Sequence, residues 1–227
     1  MVEFVDWGRR DWDRRYAGEA GCLLRLSYRG RQRPVGHTLV LDGRHAGGTA
    51  HTVRLEALPD PFALPAHIAR AGEAALLAMR GVRGQAGFFD GPVVRVAEIA
   101  ARRDGWTLRW QRAGYFDYVR SNLGLDRRQD DGTLRDAVHR TGALPALGRS
   151  PLADALGLAV LLVTADGLLA VQRRSRDVSV WPGVWGPSAA GMVTPDEVEG
   201  LATLGDLWPL RETWEELGID AGRLRRT

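Results

Sequence analysis

The 227-residue chain reads as an α+β protein. Three observations predict this class. Short apolar alternations bounded by glycines recur in the first third, a helix-period stretch follows them, and the last third places near-continuous apolar strands ahead of a short amphipathic helix.

In chain order, residues 1–21 are polar and arginine-rich, with Trp7, Trp12 and Tyr16 as anchors for a short helix. Residues 22–30, 37–43 and 51–58 alternate between apolar and polar side chains and predict the strands of a meander. Pro65 suits a helix start, and Ile68, Ala71, Ala75, Leu76 and Met79 then recur on one side until Gly81 closes the helix. Phe88-Phe89-Asp90-Gly91-Pro92 leads into residues 93–101 and 106–112, which form a hairpin across Asp104-Gly105. Tyr115 to Asn122 gives a helical turn or two. Residues 126–149 form a charged connector carrying one helix around 134–141. Residues 156–164 then predict one apolar strand, Asp166-Gly167 a turn, and residues 168–174 a returning strand.

Composition excludes several classes. An apolar content of 44% and a charged content of 26% are ordinary for a soluble globular chain. All 31 basic residues are arginine, yet the net charge is only +3 and no nucleic-acid motif accompanies them, so no nucleic-acid partner is expected. Cys22 is the only cysteine, which rules out an intramolecular disulfide or a multi-cysteine zinc site. The five histidines are scattered. No apolar run is long enough to cross a bilayer and no leader sequence is evident, so no membrane partner is expected and the expected compartment is the cytoplasm.

The most informative stretch is Arg211-Glu212-Thr213-Trp214-Glu215-Glu216-Leu217-Gly218-Ile219. On a helix, Glu212, Glu215 and Glu216 stand at i, i+3 and i+4, so three carboxylates crowd within a turn. Leu210, Trp214 and Leu217 fall on another face and are expected to anchor the helix in a core. Gly218 suits the left-handed residue that ends it. A hard divalent cation is a natural neutraliser for such a cluster, and Arg211 is placed to brace Glu215 or to fork onto the carboxylates. Three clustered glutamates alone are more often a solvated acidic face; the order of the surrounding residues is more specific.

That order resembles the second half of the Nudix box, Arg-Glu-U-x-Glu-Glu-x-Gly-U with U a bulky aliphatic, and only Thr213 departs from it. Gly191 followed by Glu197 matches the first half, although Arg211 then arrives later than the family spacing, so an insertion precedes the helix. Thr194-Pro195-Asp196-Glu197 also reads as a capping box, with Glu197 as a capping residue. Gly200, Gly205 and Pro209 predict a short helix, a break, and then the acidic helix. The Phe88–Pro92 motif, the hairpin and Tyr115–Asn122 are similar to the region ahead of the box in Nudix enzymes that hydrolyse UDP-sugars.

The resemblance implies an N-terminal α+β region (1–87), a pre-Nudix hairpin, helix and connector (88–150), and a Nudix α/β/α sandwich with a mixed sheet (151–227). Because the family fold continues well past its acidic helix, this domain is expected to be incomplete at its C-terminus. The resemblance also implies a Mg²⁺ cofactor, or Mn²⁺ in its place, held by Glu212, Glu215 and Glu216 with the backbone of Gly191. Arg211 would assist these carboxylates in catalysis. The substrate implied is a nucleoside diphosphate linked to another group, a UDP-sugar by the narrower likeness, cleaved to UMP and a sugar 1-phosphate. Arg173 and Arg174 lie at the strand end where such proteins hold substrate, and Trp185 lies on the Pro-Gly-x-Trp loop. Arg120 and Asn122 are further candidates, since a guanidinium and an amide suit a diphosphate or a uracil edge. The alternative expectation is a catalytically inactive remnant or nucleotide-binding module. An isopentenyl diphosphate isomerase is disfavoured, because that chemistry needs an active-site cysteine and Cys22 is far from the motif.

Overall fold

The structure is a computed structural model that describes residues 23–28, 31–38, 53–83, 88–130, 132–139, 145–176, 183–207 and 210–225. Strands β1 (Leu23–Tyr28) and β2 (Arg31–Thr38) form an antiparallel hairpin. Strand β3 (Val53–Ala57) does not extend that pair into the expected meander. It lies parallel to β5 (Gly105–Gly114), which pairs antiparallel with β4 (Pro92–Arg102), giving the sheet order β3-β5-β4. The connection from β3 runs through the long helix α1 (Ala66–Arg83). A parallel neighbour requires such a crossover, whereas a meander does not.

The β4–β5 turn falls at Arg103-Asp104, one residue earlier than expected, and Gly105 opens β5 at φ 140°. Beyond β5, helix α2 (Tyr115–Tyr118) continues into a π-helical turn at Val119–Leu123. Gly72 lets α1 meet that turn closely: a Cβ there would stand 1.9 Å from the Arg120 carbonyl oxygen. Strands β6 (Arg128–Gln129) and β7 (Gly132–Thr133) and helix α3 (Leu134–Val138) follow, α3 starting in a capping box between Thr133 and Asp136.

The apolar run at 156–164 is divided. Its first part, β8 (Gly157–Val160), pairs with β13 (Ala189–Met192), while β9 (Leu162–Val163) pairs with β10 (Leu169–Ala170). The returning run is divided in the same way, since β11 (Gln172–Arg173) pairs with β12 (Trp185–Gly186). Ser188 accounts for the handover. Its buried hydroxyl accepts from the Leu162 amide at 2.8 Å and donates to the Ala170 carbonyl at 2.5 Å, taking the place of direct ladder bonds. The expected single strand therefore becomes two that share one side chain as a junction.

The core joins what the sequence divides at residue 150. Val53, Val94, Val96, Leu108 and Trp110 pack with Val193, Val198 and Leu207 in one cluster. Along β4, Val94 donates to Val193 and accepts from Leu156, and Val96 donates to Asp154, so the hairpin and the later strands share backbone bonds as well as apolar contact. Helix α4 (Pro195–Val198) opens in a Thr194–Glu197 capping box with proline at its start, as expected. A break follows, and helix α5 (Leu210–Leu217) carries the acidic stretch and ends at Gly218 with φ 63°. The result is α+β with a mixed sheet. Among the described residues, no helix is long and apolar enough to cross a membrane.

Candidate functional site

Helix α5 lies against β13, and it does so with an unexpected face. Trp214, expected to anchor it in the core, is 61% exposed, whereas Glu212 and Thr213 are buried. The reason lies in the partner strand. Gly191 has no side chain, and the Glu212 carboxylate fills the vacated space: a Cβ on Gly191 would stand 1.9 Å from its Oε1. The helix therefore docks by a carboxylate, and its large ring is left on the outside.

A buried carboxylate is costly unless it is paired. Arg211 supplies the pair, at 2.6 Å from Glu212 Oε1. The same guanidinium donates to both carboxylate oxygens of Glu197 at 3.1 and 3.2 Å and to the Met192 carbonyl at 2.9 Å, and it reaches Glu215 at 3.5 Å. Of the two modes of arginine bracing considered from the sequence, the contact with Glu215 is present, whereas the fork falls on Glu197 and not on the carboxylates of the acidic helix. Glu197 is a capping residue and an ion-pair partner at once.

Ionisation follows this geometry. Burial pushes the Glu212 carboxyl above its ordinary range, with Glu215, Glu216 and Glu197 acting in the same direction, and the charge of Arg211 offsets only part of this. For Glu197, burial also acts upward but is outweighed by the hydrogen bonds from Arg211 and Thr194, which leave the carboxyl below its usual value. Arg211 is held more firmly protonated, mainly by its hydrogen bonds to Glu197. Glu216, on the exposed side, accepts from the Ala190 amide at 3.1 Å and from Gln172 Nε2 at 2.9 Å.

The carboxylates are thus shared out among protein donors, and among the described residues no group of three His, Cys, Asp or Glu side chains closes around a common point. Their chemistry still suits a hard cation, because Glu212, Glu215 and Glu216 present only oxygen donors from adjoining turns of one helix. A cation binding there would compete with Arg211 for Glu212 and Glu215, and with the Ala190 amide for Glu216.

Beside this cluster lies a cavity of about 280 Å³. Arg211 and Glu212 form one side with Met192 and Thr194; Phe88, Phe89 and Tyr115 form the other, with Gly91, Pro92 and Val93 at the start of β4. The Phe88–Pro92 motif and the acidic helix, far apart in sequence, face one space. Phe88 is buried and held by Phe116 in a stacked pair at 4.9 Å and by Tyr115 edge-on at 6.1 Å. Asp90 fixes the loop by accepting from the Phe116 amide at 2.8 Å. Phe89 is 74% exposed at the rim.

The remaining sequence candidates lie elsewhere. Arg120 pairs with Glu73 on α1 at 2.8 Å. Asn122 donates to Asp154 Oδ1 and accepts from the Asp154 amide, each at 3.0 Å, holding a residue whose φ of 38° is unusual for a side chain other than glycine. Neither lines the cavity. Arg173 donates to the Gly183 carbonyl at 3.0 Å, and its strand pairs with that of Trp185, which is exposed. The Arg174 amide donates to Val184. Trp181 and Pro182 of the same loop lie outside the described residues.

Phe89, Tyr115 and Met192 are cavity residues that sequence reasoning did not select. For Phe89 the signal was present, as a large apolar ring beside Asp-Gly-Pro, where a turn puts side chains on the surface. Neither models of known protein families nor the curated proteins give a match to this chain.

Proposed function

We propose that this chain is a Nudix-type hydrolase, dependent on Mg²⁺ or Mn²⁺, that cleaves the diphosphate of a nucleoside diphosphate linked to a second group, with a UDP-sugar as substrate. The observation that carries the reading is the seat of Glu212: a buried carboxylate fitted into the space of Gly191, clamped by Arg211 and opening on a cavity. Ordinary solvated acidic faces do not bury a glutamate, and this one is 6% exposed. A raised carboxyl pKa beside a cleft is also a common mark of a functional site.

In this reading Arg211 sets the positions of Glu212 and Glu215, while Glu216 is oriented by the Ala190 amide and Gln172. A divalent cation on these carboxylates would screen the phosphate oxygens and make a bound water more acidic. Water adds to one phosphorus, the bridging P–O bond breaks, and a carboxylate of the cluster accepts the water's proton, giving UMP and a sugar 1-phosphate. No protein nucleophile is required.

The test is release of UMP from UDP-glucose with Mg²⁺, with Glu216→Gln as comparison. The variant is expected to lose about 10²–10³-fold in kcat while its melting temperature stays near that of the parent, since Glu216 is exposed. A fully active variant refutes the role of the cluster. A second reading, a nucleotide-binding module without turnover, is favoured by the sharing of the carboxylates among protein donors. Binding of UMP by a folded chain with no Mg²⁺-dependent turnover would select it.

A further inference from the structure

We infer that the cavity between Phe89, Tyr115 and Met192 receives the nucleobase of the ligand, that Phe89 is its stacking platform, and that the site reads the flat face of the base with little preference for its edges. The inference rests on the proposed use of a nucleotide, and it replaces Arg120 and Asn122 as the base-recognising groups. Three observations support it.

The first is size. Drug-sized ligands occupy pockets of about 300–1,000 Å³, and this one, at about 280 Å³, has room for a ring system with its ribose but not for a whole nucleotide-sugar. The diphosphate must then leave the cavity along the side where Arg211 and Glu212 stand, which is where the proposed chemistry needs it.

The second is the chemistry of the wall. A phenyl ring that is 74% exposed leaves most of its apolar surface in water. It is nonetheless placed closely, since a Cβ on Gly91 would stand 3.1 Å from the Phe89 ring edge. Behind it, Phe88 and Phe116 form a stacked pair that stiffens the loop. A solvent-facing ring at the mouth of a cavity is what a stacking site requires, because every base offers a π-face to it.

The third is the commitment of the polar groups. Thr194 bonds Glu197, Asp90 accepts from Phe116, and Arg211 is spent on Glu197, Glu212 and Met192. With these side chains engaged, the Tyr115 hydroxyl is the polar side-chain group of the lining left to meet a base edge, so edge recognition is limited and stacking carries most of the affinity. Uridine and cytidine nucleotides are expected to bind within a few-fold of one another.

The test is calorimetric binding of UMP, CMP and inorganic pyrophosphate to the full chain with Mg²⁺, the two nucleotides having no diphosphate to cleave. Phe89→Ala should weaken UMP and CMP about tenfold, in the range that a lost base–aromatic stack costs. Phe89→Trp should restore them, and pyrophosphate, which has no base, should bind all three proteins equally. Because Phe89 is exposed, the variants should keep the parent's melting temperature. UMP binding that is undetectable in the parent, unchanged in Phe89→Ala, or lost in parallel with pyrophosphate would overturn the assignment, as would a strict preference for UMP over CMP. The outcome is separable from that of the hydrolase reading. Phe89-dependent binding without turnover sinks only the latter, and Glu216-dependent turnover insensitive to Phe89 sinks only the base site.

Discussion

Substitution of Gly191 by alanine tests the seat of Glu212 directly. The backbone of Gly191 is not in the left-handed region, so alanine brings no conformational strain and only contact matters. Its Cβ would lie 1.9 Å from Glu212 Oε1 and 2.0 Å from Cδ. Ordinary contact begins near 3.4 Å, so the carboxylate must withdraw by about 1.5 Å. That displacement strains the bridge to Arg211, which now spans 2.6 Å. Overpacking of this kind typically costs about 1–3 kcal/mol, and a misplacement of about 1 Å in a catalytic group can cost about 10²-fold in rate. The expected result is a lower urea midpoint with an unchanged m-value, together with a loss of about 10²-fold in UMP release from UDP-glucose. The double variant Gly191→Ala/Glu212→Asp, one methylene shorter, should recover most of the stability, giving a coupling energy that separate sites would not show. A Gly191→Ala protein with parental midpoint and activity, or a double variant whose losses simply add, would refute the reasoning.

Two further outcomes follow from the ion pairs. Glu197 has its pKa lowered in the folded chain, so its contribution is present above the unfolded value and lost as pH falls through the folded one; Glu197→Gln should lower stability by about 1.5–3 kcal/mol near neutrality and flatten the acid limb of a melting-temperature profile. Asn122→Ala should cost about 1–3 kcal/mol by leaving Asp154 without its amide partner, and it should leave the KM for a UDP-sugar unchanged; a raised KM at parental stability would return Asn122 to the substrate site.

Much of the scaffold was legible because local rules governed it. Pro65 and the spacing of Ile68, Ala75 and Leu76 mark α1, and Thr194-Pro195 with Glu197 marks α4 down to its cap. The pairing of β3 was not legible, because a parallel neighbour is chosen by long-range packing and leaves no turn residues to read. Nor was the handover at Ser188, where one hydroxyl divides two runs that look continuous. For the site, the order of residues in the acidic helix was informative, yet hydrophobic periodicity placed Trp214 inward. That rule weighs apolar residues by face and has no means of foreseeing that a glycine on the facing strand makes room for a charge. Arg120 and Asn122 were selected for their chemistry, and their partners Glu73 and Asp154 come from segments that no spacing connects to them.

The outer edge of β3 carries one more consequence. Leu55 donates to the Ala202 carbonyl at 3.0 Å, and Arg54 bridges Thr203, so the strand beside β5 has its free side covered by residues far downstream of the sheet. The three-stranded sheet can assemble once β5 has been synthesised. At roughly 5–20 residues per second, the covering segment, about 90 residues further on, follows only some 5–20 s later. During that interval the young sheet presents an unpaired edge flanked by Val53 and Leu55, the kind of surface that recruits other strands.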